Sequence, residues 1–285
     1  MSGLRAKKRF GQHFLKDRGV IHGILELSGL DSSNRILEIG PGRGALTFPL
    51  TQRVDRILAV EKDRDLAAWL QERLEARKIR NAEVVCGDIL RFDFSMLDRF
   101  SHDRIHVIGN LPYNVSTPVL EALIDQRRRF RRAVLMFQKE VADRLSASPG
   151  GRSYGALTVL VGLHARVRRL LRVGKRSFHP MPRVDSTVVE LDFDLPHSPQ
   201  PADEAGFRAV VKGAFSHRRK TLQNALLASF PAWDRDAVGR ILTDCHIDPG
   251  RRAETLSIDD FLRLSEAFPP IRQGQSAILD KGDGG

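Results

Sequence analysis

Two stretches of the chain combine residue types that chemistry can use. The first is Glu38-Ile-Gly-Pro-Gly-Arg-Gly44, in which an apolar run stops in three alternate glycines. Glycines lack a Cβ and accept positive φ, so such a turn lets a flat ligand lie against the main chain. The spacing is G-x-G-x-G, not the G-x-G-x-x-G of dinucleotide sites, and Glu38 stands two residues before the first glycine. That combination favours S-adenosylmethionine (SAM), with S-adenosylhomocysteine as its product. SAM has no pyrophosphate to seat on a helix N-terminus, but its ammonium needs an acid, which Glu38 supplies directly or through water. The plainer alternative is a tight strand-to-helix turn that holds no ligand.

The second stretch is Asn110-Leu111-Pro112-Tyr113. The exocyclic amine of adenine is a poor nucleophile because its lone pair is delocalised into the ring. Acceptors against both amine hydrogens, the Asn110 side-chain oxygen and a main-chain carbonyl of the Leu111-Pro112 turn, favour the pyramidal nitrogen. Pro112 has no N–H to compete, and Tyr113 offers an aromatic face to a base taken out of its stack. No metal, cysteine or general base is required. The alternative is a proline turn whose tyrosine packs in the core.

These residues need a frame that brings them together. Strand-like runs at Arg35–Ile39, Arg56–Val60, Ala82–Cys86, His106–Gly109 and Arg132–Gln138 alternate with helical spacing, and Ala45-Leu-Thr47 is expected to open the helix after the glycines. Val167–Val173 and Thr187–Phe193 complete the set, the latter expected to alternate buried and exposed. Strands separated by helices predict a doubly wound α/β sheet, whose C-terminal strand ends line one crevice. Glu61, Asp88 and Asn110 each follow such a strand. Glu61 is placed to accept both ribose hydroxyls, unless it is only a capping acid. Asp88 suits an exocyclic amine of adenine, unless it is a turn aspartate.

The 285 residues carry a net charge of +11, concentrated at Arg5–Arg18, Arg127–Arg132, Arg166–Arg183 and His217–Lys220, which points to a polyanion such as a nucleic acid. Cys86 and Cys245 lack metal-ligand spacing and suit a reducing cytoplasm. No apolar run is long enough for a membrane span, and no apolar segment follows the basic N-terminus as a secretory signal requires. Residues 1–18 read as a basic arm, part of which folds back as a lid. Residues 19–195 read as the sheet domain, the proline-rich stretch after Leu195 as a linker, and 202–270 as a small helical domain with a Ser257/Asp260 capping pair. Residues 271–285 read as a disordered tail.

The two stretches, with Glu61 and Gly87-Asp88, resemble the SAM-dependent rRNA adenine N6-dimethyltransferases, which share a Rossmann-like fold. Lys8-Arg-Phe-Gly-Gln-His-Phe-Leu15, Met136-Phe-Gln-Lys-Glu-Val-Ala142, Phe178-His-Pro-Met-Pro-Arg-Val-Asp-Ser186, Phe215-Ser-His-Arg-Arg-Lys220 and Arg252-Ala-Glu-Thr-Leu256 resemble the KsgA type, over about residues 7 to 268. The resemblance implies a monomer that methylates two adjacent adenosines near the 3′ end of 16S rRNA, each twice, in an immature small ribosomal subunit. It implies SAM contacts at His13, Leu15, Gly40, Glu61, Asp88 and Asn110. The family often has Asn where this chain has His13, a change that a main-chain contact tolerates and a side-chain amide contact does not. It also implies that Phe178 is a second aromatic over the target base, the alternative being a core phenylalanine before a proline turn. Two rivals remain: a large-subunit rRNA methyltransferase of the macrolide-resistance type, and a non-catalytic RNA-binding assembly or transcription factor. Arg252–Leu256 argues against the first, and intact Glu61, Asp88 and Asn110–Tyr113 argue against the second.

Overall fold

The structure, a computed structural model, describes residues 7, 11–112 and 115–268. Its strands are β1 (Phe14–Leu15), β2 (Arg35–Ile39), β3 (Arg56–Glu61), β4 (Ala82–Cys86), β5 (Ile105–Asn110), β6 (Phe130–Gln138), β7 (Arg166–Val173), β8 (Phe178–His179) and β9 (Ser186–Asp192). Seven form a sheet in the order β4-β3-β2-β5-β6-β9-β7. The pairs from β4 to β6 are parallel, and β9 runs antiparallel to both β6 and β7. Strand order reverses at β2, between β3 and β5, and a crevice opens at the carboxyl ends of strands at such a switch point. β1 and β8 form a separate antiparallel pair.

The helices are α1 (Arg18–Ser28), α2 (Thr47–Leu50), α3 (Arg64–Ala76), α4 (Met96–Phe100), α5 (Ser116–Asp125), α6 (Lys139–Leu145), α7 (Ala156–His164), α8 (Glu204–Phe215), α9 (Leu222–Ser229), α10 (Arg235–Asp244) and α11 (Ile258–Ala267). Asp63 caps α3 by accepting from Asp65 N–H, and Leu66, Leu70 and Leu74 bury one face of it. Among the described residues, no helix is long and apolar enough to cross a membrane.

Two local expectations are corrected. The helix after the glycines starts at Thr47, not Ala45, and lasts a single turn. β9 does not alternate: all seven of its residues are buried, and β6 and β7 pair with it on either side. Its acids survive burial because register sets arginines opposite them. Arg168 faces Glu190 at 2.9 Å, and Arg166 and Arg132 approach Asp192 at 3.4 and 3.8 Å.

The chain divides into two compact units, one of residues 1–142 and 164–195, the other of 143–163 and 196–285. The range 19–195 is therefore interrupted, since residues 143–163 cluster with the C-terminal helices. The first unit carries the sheet. In the second, Val159, Leu163, Phe207, Val210, Leu226 and Phe261 belong to one buried cluster. Ser257 and Asp260 form the expected reciprocal cap at the start of α11. The tail 271–285 and half of the arm, residues 1–6 and 8–10, lie outside the described residues.

Candidate active site

The glycine turn leaves β2 and bounds a cavity that opens to solvent. Gly40 and Gly42 line it at φ +66° and +57°. A Cβ on Gly40 would stand 3.7 Å from the Asn110 carbonyl, and one on Gly42 would crowd the Phe14 ring at 3.3 Å. Side chains there would fill the space against the main chain.

β2 and β3 end in two acids that also line this space. Glu61 is 6 % exposed and accepts from Gly42 N–H and Asp63 N–H, each at 2.9 Å. One carboxylate thus holds both the glycine turn and the start of α3 in place. Burial raises its carboxyl above the usual range, against the pull of those two N–H groups. Glu38 is 1 % exposed, and its Oε2 has no hydrogen-bond partner. Burial pushes its carboxyl up to about 8, with Thr47 opposing the shift and Glu61 adding to it. No cation is paired with either acid in the described residues.

Asp88 closes β4 and caps the short helical turn Ile89–Arg91 by accepting from Leu90 N–H at 3.1 Å. Burial would raise its carboxyl, but Lys62 Nζ at 2.7 Å, together with that N–H, holds it below the usual range.

Asn110 ends β5 with its amide nitrogen donating to the His13 carbonyl at 3.0 Å. That bond fixes the side chain with Oδ1 as the end left to accept. Beyond it Leu111 and Pro112 line the cavity, and the Pro112 carbonyl accepts from Val115 N–H at 3.2 Å. The arm supplies the facing wall, Gly11 to Leu15. It is fastened by β1 pairing with β8, by His13 Nδ1 against the Pro180 carbonyl at 2.8 Å, and by Lys7 and Gln12 on Asp63 at 2.7 and 3.1 Å. The described part of the arm folds back over the cavity, as a lid does.

The family model for ribosomal RNA adenine dimethylase matches residues 3–269. The chain belongs to this family.

Relatives and solved structures agree with the dimethylase assignment over nearly the whole length. A protein of Geobacter metallireducens named ribosomal RNA small subunit methyltransferase A is 47 % identical over 93 % of this chain and 96 % of its own. One of the same name from Desulforapulum autotrophicum is 44 % identical, over 93 % of each chain. A dimethyladenosine transferase from Plasmodium falciparum superposes with a TM-score of 0.75 at 28 % identity, covering 88 % of this chain and 96 % of that one. The 23S rRNA methyltransferase ErmE gives 0.66 at 25 % identity, covering 89 % and 98 %.

Within this dimethylase, His13, Leu15, Glu38, Gly40, Gly42, Glu61, Asp88, Asn110, Leu111 and Pro112 all line one cavity. Gly44 does not. A Cβ there would fall 2.6 Å from the Phe48 ring and 2.9 Å from Leu70, so its place is set by packing behind the turn. Phe178 is also not brought to the cavity. Its ring is 1 % exposed in a cluster with Leu15, Val173 and Val188. Tyr113 lies outside the described residues. Sequence reading missed Lys62 and Gln12, whose partners Asp88 and Asp63 are remote in sequence. The polar Gln12 inside the aromatic stretch Phe10–Phe14 was the available signal for the latter.

Proposed function

We propose that this chain transfers methyl groups from SAM to the N6 amines of two adjacent adenosines near the 3′ end of 16S rRNA in an immature small ribosomal subunit, yielding N6,N6-dimethyladenosine. The small subunit is favoured because the relatives named for it are 44–47 % identical, against 25 % for the large-subunit enzyme ErmE. The cavity suits a cationic nucleoside. Two buried acids without a cation, an orphaned Glu38 oxygen, an aspartate at the rim and two Cβ-free glycines match the charge and flatness of SAM.

Bound SAM supplies an electrophilic methyl group. Glu61 would hold the ribose hydroxyls while keeping the glycine turn in place, and Asp88 would accept from the adenine amine of the cofactor in competition with Lys62. Glu38, whose carboxyl burial pushes up to about 8, would be drawn to its charged form beside an ammonium, because a nearby cation favours that form. The wall from His13 to Leu15 excludes water from this side.

The observation that carries the proposal is the Asn110 amide anchored to the His13 carbonyl. Rotation of the side chain would break that bond, so Oδ1 is preorganised to accept one hydrogen of the target amine. With the Pro112 carbonyl engaged by Val115, the Leu111 carbonyl is the one in this turn to take the other. Both contacts strengthen as the nitrogen pyramidalises, so they stabilise the transition state more than the ground state. The amine proton leaves to water afterwards. Tyr113 would stack on the extruded base.

Labelled methyl transfer to unmethylated small and large subunits tests this. Label in the 3′ region of 16S rRNA is expected. Label confined to large subunits would move the chain to the macrolide-resistance type, and no label on either would favour a non-catalytic factor.

A further inference from the structure

The basic run Arg127–Arg132 is largely occupied by its own protein. Arg127 donates to the Ile124 carbonyl at 3.1 Å, Arg129 to Asp98 at 2.8 Å, and Arg131 and Arg132 approach Asp194 and Asp192 at 3.7 and 3.8 Å. A second basic region is built differently. Arg18 from the start of α1, Phe48 from α2, and Arg77, Lys78 and Arg80 from the end of α3 line one open groove with no acid among its lining residues. All four cations are exposed, and none pairs with an acid in the described residues. Glu75, two residues before Arg77, accepts from Gln71 Nε2 at 2.8 Å, and other acids flanking the groove have partners of their own. Asp17 accepts from Gly19 N–H, Val20 N–H and the Ser177 hydroxyl, while Glu26 and Asp55 hold Arg53 and Arg35.

The groove is also preformed. Arg77 lays its guanidinium over the Phe48 ring at 4.1 Å, which fixes its plane and leaves N–H edges to donate outward. Asn81 ties the walls together by donating to the Thr51 and Val54 carbonyls at 3.0 and 3.2 Å. Helix α3 ends in a closed turn, with Lys78 N–H on the Glu75 carbonyl and Ile79 N–H on the Leu74 carbonyl, at 2.8 and 3.0 Å. Lys78 occupies the left-handed position of that turn at φ +57°, where glycine is easier to accommodate. A lysine held there carries a charge that glycine would not. Phe48 also packs against Gly44, the last residue of the glycine turn. The groove therefore lies directly behind the turn that lines the cavity.

We infer that this groove is a docking site for a phosphodiester segment of the RNA substrate, seated on Arg18, Arg77, Lys78 and Arg80. Fixed guanidinium edges suit phosphate oxygens, and a groove without acids attracts a polyanion along its length. The inference rests on the proposed action on ribosomal RNA and adds a surface to it.

The test is binding of the full-length protein to unmethylated small ribosomal subunits across a salt series, without SAM. Arg18→Gln, Lys78→Asn and Arg80→Gln are combined, with Asn chosen because it tolerates positive φ. The slope of log affinity against log salt should flatten by about two, from roughly 0.7 for each phosphate no longer neutralised on a single strand. Affinity near physiological salt should fall roughly tenfold or more. SAM affinity by calorimetry and the melting temperature should stay at wild-type values. An unchanged slope overturns the groove. Should the triple variant lose its melting transition, Arg80→Glu alone, at an exposed position, replaces it and is judged by the same slope. Wild-type protein that binds subunits with a steep slope but methylates neither subunit would overturn the proposed reaction and leave the groove standing.

Discussion

Glu38 and Glu61, at the carboxyl ends of β2 and β3, and Glu190 and Asp192, on β9, are buried acids of one sheet in opposite circumstances. The β9 pair meets arginines from both neighbouring strands. The other pair meets backbone N–H groups, Thr47 and each other, and burial raises both carboxyls. A buried acid with a cation opposite it has its charge balanced within the fold, even though Glu190 Oε2, like Glu38 Oε2, has no hydrogen-bond partner. A buried acid without such a cation is held by the surrounding structure at a cost, and a cationic ligand in the adjoining cavity would offset that cost. Burial alone does not separate the two kinds, since all four side chains are almost fully covered.

Removing the β7 cation that faces Glu190 on β9 should have a large effect on stability. Arg168→Ala leaves Glu190 buried and unpaired, and should destabilise the protein by about 2–4 kcal/mol, below the full cost of a wholly buried pair because Arg168 reaches solvent. Denaturant unfolding checks this, and a loss within experimental error would mean that the pair is ornamental. Glu61→Ala tests the other side of the contrast. It should weaken SAM binding by about 1–3 kcal/mol, the range for a hydroxyl losing a charged acceptor. Unchanged affinity by calorimetry would remove Glu61 from the ligand site.

A third test concerns Glu38. Its folded carboxyl is raised from 4.5 to about 8, so between those values the folded state holds a proton that the unfolded chain has released. Its contribution to stability is complete below about 4.5 and is lost as pH rises through 8, at no more than about 1.4 kcal/mol per pH unit. In Glu38→Gln the fall in melting temperature from pH 5.5 to 8 should be shallower than in wild type. Parallel curves would mean that Glu38 is charged throughout.

How much of this the sequence disclosed follows from how local each signal is. The glycine turn, the polar residues at the carboxyl ends of β3, β4 and β5, and the Ser257/Asp260 cap depend on neighbours a few residues away, and all were legible. Partners chosen by register were not. Nothing near Glu190 announces Arg168, so β9 read as a half-exposed strand. Phe178 kept its aromatic character in the sequence while its burial was decided by β1 and the core around Leu15. Residues 143–163 joined the C-terminal unit through Val159 and Leu163, whose apolar spacing does not say which core they fill. The basic runs were visible as charge, but their pairing was not, and the groove at Arg18, Arg77, Lys78 and Arg80 is assembled from separate segments.

The central claim is that the Asn110 anchor on His13 prepares an acceptor for the target amine, in a cavity whose acids await a cation. Single-turnover methyl transfer to small subunits by Asn110→Ala, run beside subunit binding, tests it most directly. The account predicts a rate lower by very roughly 10²-fold, the size expected when one preorganised acceptor is removed, with subunit binding unchanged. Wild-type turnover, or a defect confined to RNA binding, would contradict it.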